Sequence, residues 1–244
     1  MPPVPRRRLA VALLALAALA AACSPGGGAA SGPAPATTPA PAPGTAAAPG
    51  GGGGTTTTAA TSTSRAAVAP RHAFPLRGCR SSYAHGHHDY PATDIFAPRG
   101  CTVVAPVSGV VDEVSAADRW DAGSDRGADR GGLSVSIVGV DGVRYYGSHL
   151  SSIAAGVARG ARVAVGRPLG RVGNTGSAAG GATHLHFGIS WPTGPGVWWV
   201  RRGVVDPWPF LNSWRGGGNL SPAAAVRRAR ARAGSTTPPC ASDC

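Results

Sequence analysis

The chain has 244 residues and a formal net charge of +12, carried entirely by arginine because lysine is absent. Its only glutamate, Glu113, has no histidine near it, which excludes a His-Glu-x-x-His protease, where the glutamate is the base. The basic balance comes without an interleaved aromatic stripe and behind an export signal, so it points away from nucleic acid and toward anionic wall polymers or lipid headgroups.

In chain order, the first element is an address. Arg6-Arg7-Arg8 precedes an uncharged Ala/Leu run of 14 residues, Leu9 to Ala22, too short to span a bilayer and suited to a signal-peptide core. Residues 1–22 are therefore read as a signal peptide. Ala20-Ala21-Ala22 lead into Cys23 in the manner of a lipobox, with Ala20 where Leu is usual. Cys23 is thus the expected lipidation site, and the protein is expected on the outer face of the cytoplasmic membrane. A soluble secreted chain cut at the same place is the alternative.

From Ser24 to Ser64 only Ala, Gly, Pro, Ser and Thr occur. Such a segment has almost nothing to bury against the entropy of ordering it, so residues 23–70 read as the lipidated Cys followed by a disordered tether. Its reach as a flexible coil is roughly 40 Å. With Cys23 assigned to lipid, Cys79, Cys101, Cys240 and Cys244 remain, an even set in an exported chain. The natural pairing is Cys79–Cys101, bracketing a His-rich loop, and Cys240–Cys244 in the tail; three pairings are possible and spacing alone does not choose. The spacings lack the paired Cys-x-x-Cys of a thiolate zinc site.

Residues 71–214 form the expected domain, of ordinary size. Short apolar runs predict strands at Thr102–Pro106, Gly109–Val114, Leu133–Val140, Val143–Gly147, Arg162–Val165 and His184–Ser190. Asp141-Gly142 between two of them predicts a two-residue hairpin. Ala116–Gly132, rich in Asp, Arg and Gly, reads as a long exposed loop, and only Ser152–Val157 and the tail look helical. Trp191, Trp198, Trp199, Trp208 and Trp214 either wall a groove or close the sheet. The basic tail, residues 215–244, carries Arg227, Arg228, Arg230 and Arg232 in a short helix after Ser221-Pro222, a favourable start. The architecture is an antiparallel all-β domain with loops crowding one edge.

The most informative feature is Thr183-His184-Leu185-His186-Phe187. In a strand, side chains alternate faces, so both imidazoles point one way while Leu185 and Phe187 point into the core. Two imidazoles a pleat apart suit a metal site in which one ligates and the other handles bound water. An isolated His-x-His would read as the wet face of an amphipathic strand, but Asp94 and His149 stand upstream in distinctive contexts.

With these parts in place, the domain resembles the lysostaphin/LytM-type zinc metallopeptidases of peptidase family M23. Residues 94–110 are similar to the family's Asp block, with its Gly-x-x-Val-x-Ala and Gly-x-Val signature. Tyr146–Leu150 resembles its Tyr-x-His-Leu element. Gly173–Phe187 resembles its Gly-x-Thr-Gly and His-Leu-His-Phe block. The resemblance spans roughly residues 72–212 in the family's order. It implies a sandwich-like antiparallel β fold, a zinc cofactor and hydrolysis of peptide bonds in peptidoglycan.

The resemblance also implies roles. Asp94 and His186 take the places of zinc ligands, and His149 and His184 those of the non-ligating catalytic histidines. The first ligand is not fixed by the pattern, because His-x-x-x-Asp would call for His at position 90, where Tyr90 stands. His88 is the expected ligand, with Tyr90-Pro91 as a two-residue extension; His87 is second and His85 third. Gly188 follows where some relatives carry Glu. Two imidazoles and a carboxylate leave room for water, whose proton one of His149 and His184 would take. The protein is expected to be a monomer. The alternative is a non-catalytic relative that binds peptidoglycan or activates another hydrolase.

Overall fold

Residues 69–240 are described by a computed structural model of the chain. The signal-peptide, Cys23 and tether readings therefore lie outside the described residues, as does Cys244.

Alternation at the C-terminal strand organises the domain. In β10 (His184–Ser190) Leu185, Phe187 and Ile189 are almost wholly buried on one face. Each contributes about 1.5–3 kcal/mol of apolar burial. β10 runs antiparallel to β3 (Thr93–Phe96) on one side and to β7 (Arg144–Ile153) on the other. β3 pairs in turn with β2 (Ser82–Tyr83).

Beyond β7 the sheet divides. The first half of β7 also pairs with β6 (Leu133–Gly139), which leads to β5 (Gly109–Ser115) and β8 (Arg162–Val163). The second half, from Leu150, pairs with β9 (Pro168–Val172), which leads to β4 (Thr102–Val104) and β1 (Leu76–Arg77). One connected antiparallel sheet of ten strands thus surrounds one core, and its two branches supply the sandwich-like packing.

Three expectations need correction. Ser152–Val157 is not helical: Ser152 and Ile153 complete β7 against β9, and Ala154–Val157 is a turn closed by Val157 N–H on Ala154 O, 3.2 Å. Backbone pairing with β9 outweighs the helical preference of the short Ala154-Ala155 pair, which Gly156 cuts off. The hairpin holds three residues, Val140-Asp141-Gly142. Gly139 N–H bonds Val143 O at 2.8 Å and Gly142 N–H bonds Gly139 O at 2.9 Å, with Gly142 at φ +75°. A left-handed third residue matches the strand twist with a bulge rather than a two-residue turn. The loop 116–132 is exposed over its first part, but Gly127 and Gly132 are buried.

The C-terminal segment adds helices that the sequence reading did not place, α1 (Trp198–Arg201) and α2 (Trp208–Arg215). Asp206 Oδ1 accepts the Trp208 N–H at 3.0 Å, so Asp206-Pro207 was a legible start signal for α2. α3 (Ala223–Ala233) follows Pro222 as expected, and it is part of the core: Val226 and Ala229 are buried there. Trp191 and Trp214 are also core residues. Among the described residues no helix is long and apolar enough to cross a membrane.

Cys79 and Cys101 form a disulfide, with 5.9 Å between their Cα atoms. Closing this 22-residue separation stabilises the fold by about 3 kcal/mol in the loop-entropy account. It also ties both ends of the segment that carries the His-rich loop and β3. Cys240 is disulfide-bonded too.

Candidate metal centre

The register of β3 against β10 sets Asp94 directly opposite His186 and Phe96 opposite His184. Cross-strand partners present side chains on one face, so Asp94 and His186 meet without help from any loop. His186 Nδ1 stands 2.9 Å from Asp94 Oδ1, and His184 Nε2 stands 3.9 Å from the same oxygen.

The third member comes from a loop. His87 N–H bonds Ala92 O at 2.9 Å, closing residues 87–92 on themselves and swinging the His87 ring over Asp94. His87 Nε2 lies 3.9 Å from Asp94 Oδ2, and one ligand atom from each of His87, Asp94 and His186 falls within 4.8 Å of the others. This corrects the sequence expectation. His88 points outward with its side chain 76% exposed, and its Nδ1 is held 2.8 Å from Asp89 Oδ2. Its ring stacks on that of His87 at 4.1 Å at the edge of the cleft, but of the two only His87 brings a ring nitrogen to Asp94 and His186. His85 is further away in role, 72% exposed, beside Asp206 and packed on Trp208. The extra length between His87 and Asp94 holds Tyr90, whose ring lies 4.5 Å from that of His87 and whose hydroxyl is 3.5 Å from His186 Nε2.

Backbone carbonyls select which nitrogen of each strand-borne histidine faces the centre. His186 Nε2–H donates to Arg202 O at 3.1 Å, His149 Nδ1–H to Thr175 O at 2.8 Å and His184 Nδ1–H to Ala182 O at 2.9 Å. A carbonyl can only accept, so the opposite nitrogen of each neutral ring carries a lone pair. For His186 that nitrogen is Nδ1, which faces a carboxylate oxygen at hydrogen-bond distance. Either a proton or a metal cation must lie between these two acceptors, and His87 Nε2 stands beside them. The donor set, two imidazole nitrogens and a carboxylate with backbone partners behind, fits a divalent zinc.

The electrostatics agree. Burial pushes the Asp94 carboxyl up, but the His186 hydrogen bond and the charges of His186, His184 and His87 overcome it and hold it at about 2. His87 is lowered to about 4, first by burial and then by His186. His149 is lowered to about 3 by burial, with His186 and His184 adding to it. The carboxylate is therefore charged, and these two imidazoles are neutral, at pH 7.

His149 needs an unusual backbone to reach this face. Two residues, Gly147 and Ser148, separate it from Tyr146, and the β6–β7 ladder is irregular there: Leu133 pairs with Leu150, but Val135 pairs with Gly147. The surplus residue is absorbed as a bulge in which His149 takes φ +62°. Its N–H bonds Gly131 O at 2.9 Å. The Thr175 hydroxyl fastens the same junction, accepting Leu133 N–H at 3.0 Å and donating to Leu150 O at 2.8 Å. The His149 ring stands 4.8 Å from that of His184.

Around the centre lies a cleft of about 210 Å³. The loop 116–132 forms one wall through Gly127, Ala128, Arg130 and Gly131, and Asp118 pins it by accepting Gly176 N–H at 3.0 Å. The other wall stacks Tyr90, Arg202 and Trp198, with the Arg202 guanidinium 4.4 and 4.7 Å from the two ring centroids. Of the tryptophans, Trp198 lines the cleft. Glu113 is the ion-pair partner of Arg201, which packs 5.4 Å from the Tyr146 ring centroid.

Gly188 has a specific job. A Cβ there would lie 2.0 Å from Arg202 O, the carbonyl that fixes His186. Absence of a side chain lets that carbonyl approach and serve as the polar partner. The sequence reading missed Tyr90, Thr175 and the Arg202 carbonyl; only Thr175, within Gly-x-Thr-Gly, lay in a block already singled out.

Fold and site together define an antiparallel β-sheet domain with a His/Asp cluster able to hold a metal ion in an open cleft. Residues 88–197 match the family model described as Peptidase family M23. The domain is similar to the catalytic domain of lysostaphin from Staphylococcus simulans, with 26% identity over 55% of this chain and 93% of that one, TM-score 0.41. It is also similar to a glycyl-glycine endopeptidase LytM from Ruminococcus gnavus, with 24% identity over 62% of each chain and TM-score 0.47. A zinc-containing peptidase from Vibrio cholerae shares 22% identity over 57% of this chain and 40% of its own, TM-score 0.40. The chain thus spans less than two thirds of the latter two. A search of the curated proteins found no match.

Proposed function

We propose that the domain is a zinc-dependent endopeptidase acting on peptide bonds of bacterial peptidoglycan. The observation that carries this is the convergence of His87, Asp94 and His186 within 4.8 Å, with His149 and His184 facing the same space. The match to Peptidase family M23 supports a peptidase, and the peptidoglycan substrate follows from the resemblance of the Asp, Tyr-x-His-Leu and His-Leu-His-Phe blocks.

His87, Asp94 and His186 would hold the ion. Bound there, zinc supplies a Lewis acid for the scissile carbonyl and makes water more acidic. The chain's own groups do the rest. Thr175 O holds the Nδ1 proton of His149, so Nε2 is free to take a proton from the attacking water, and burial keeps the ring neutral for that task. The same proton is returned to the amine nitrogen as the C–N bond breaks. His184, likewise oriented by Ala182 O, is the second nitrogen across that space. Trp198, Tyr90 and Tyr146 give the cleft the flat surfaces that orient a peptide.

The proposal extends to place and state: a monomer exported by residues 1–22 and anchored through lipidated Cys23. The test is metal content of the purified protein together with release of new amino termini from isolated cell walls, with and without chelator. Stoichiometric zinc with chelator-sensitive release is expected. Zinc without release would leave the peptidoglycan-binding or activating alternative standing, and no zinc at all would overturn the metal reading.

A further inference from the structure

The arginines of α3 have no part in the cleft. Arg227, Arg228, Arg230 and Arg232 are all exposed, while Pro222, Val226 and Ala229 hold the opposite side of the helix in the core. No acidic residue occurs between Asp206 and Asp243, so nothing along this stretch neutralises them. Arginines in the last turn favour a helix C-terminus, but Arg227 and Arg228 lie mid-helix, outside the reach of that effect.

The second observation is where the chain enters the domain. Asn219, four positions before α3, receives the His72 backbone N–H at 2.7 Å and donates to Pro70 O at 2.9 Å. The His72 ring stacks on Trp214 of α2 with centroids 5.3 Å apart, and its Nε2 is 3.1 Å from Asp141 Oδ2. The entry point of the N-terminal segment is therefore stitched to the base of α3. The described chain thus enters the domain at residues 70–72, beside the residue four positions before α3.

We infer that α3 is an electrostatic docking face for anionic lipid headgroups. The helix supplies guanidinium groups on a rigid, core-anchored support, and each can bridge two phosphate oxygens. Together with a lipid at Cys23, it would hold the domain in a fixed attitude at the membrane surface. This surface is independent of the chemistry in the cleft.

The test uses the chain from residue 23 onward with Cys23→Ser, so that no acyl group contributes. Partitioning is measured by co-sedimentation with phosphatidylglycerol–phosphatidylcholine vesicles and with pure phosphatidylcholine vesicles. Each arginine near an anionic surface strengthens binding about fivefold, so replacing Arg227, Arg228, Arg230 and Arg232 with Gln should weaken it by roughly several hundredfold. Binding should also fall steeply with salt. A control replaces the exposed Arg119, Arg126, Arg159 and Arg162 with Gln, the same change in net charge away from α3, and should retain most of the binding. Equal loss in both variants, equal binding to phosphatidylcholine alone, or preference for a soluble polyphosphate polymer over the vesicles would each overturn the inference. Circular dichroism of both variants shows that the fold is intact.

Discussion

Half of the metal centre is held by a sheet ladder and half by loops. Asp94 and His186 are paired residues of adjacent strands, locked by the β3–β10 register. His87 is held by a loop closed through a single backbone hydrogen bond to Ala92, and His149 by a bulge fastened by Thr175. A ladder fixes side-chain direction by its period of two, so the strand half tolerates no slip. The loop half tolerates added length: six residues separate His87 from Asp94 against the three of His-x-x-x-Asp, and two separate Tyr146 from His149 against the one of Tyr-x-His.

Breaking the ladder half should have the largest effect. Asp94→Asn or His186→Ala should weaken zinc binding by more than about a hundredfold, measured by competition with a chelating dye. His87→Ala should do the same, because the loop half contributes the third donor. Equal binding by the His87 variant would return the first ligand to His88.

Next in size is Gly188→Ala. Its Cβ would displace the Arg202 carbonyl and free the His186 tautomer, lowering zinc affinity roughly 10–100-fold. The readout besides affinity is the nitrogen NMR signature of His186, with Gly147→Ala as a comparison, since a Cβ there meets only the Leu185 side chain at 3.1 Å.

Thr175→Val leaves the carbonyl that orients His149 but strips the hydroxyl from the bulge. The Leu133 N–H and Leu150 C=O lose their partner, at about 1–3 kcal/mol in chemical denaturation. Smallest of all is His88→Ala, expected to change zinc affinity by no more than about twofold, since its exposed ring pairs only with Asp89 and stacks on His87.

The legible part of the fold follows the same divide. The run from His184 to Ser190 is a strand with the bounds its alternation indicated, and Gly109–Val114 and Leu133–Val140 gave β5 and β6 nearly whole. β9 went unread because Pro168 and Gly170 dilute its pattern, and it exists through pairing with β4 and the far half of β7. Ser152–Ile153 was misread for the complementary reason: a local preference yielded to a distant strand.

Sequence alone determined the residue chemistry of the site and the strand that carries the His-x-His, and offered Cys79–Cys101 as the natural pairing, because alternation and motif order are local properties of the chain. Which of three neighbouring histidines turns inward, which ring nitrogen each strand histidine presents, and why position 188 must lack a side chain were decided by tertiary structure. Those choices depend on the carbonyls of residues 92 and 182 within the local loops and, above all, on those of residues 175 and 202 arriving from other segments. A hydrogen bond between residues distant along the chain leaves no periodic trace in it.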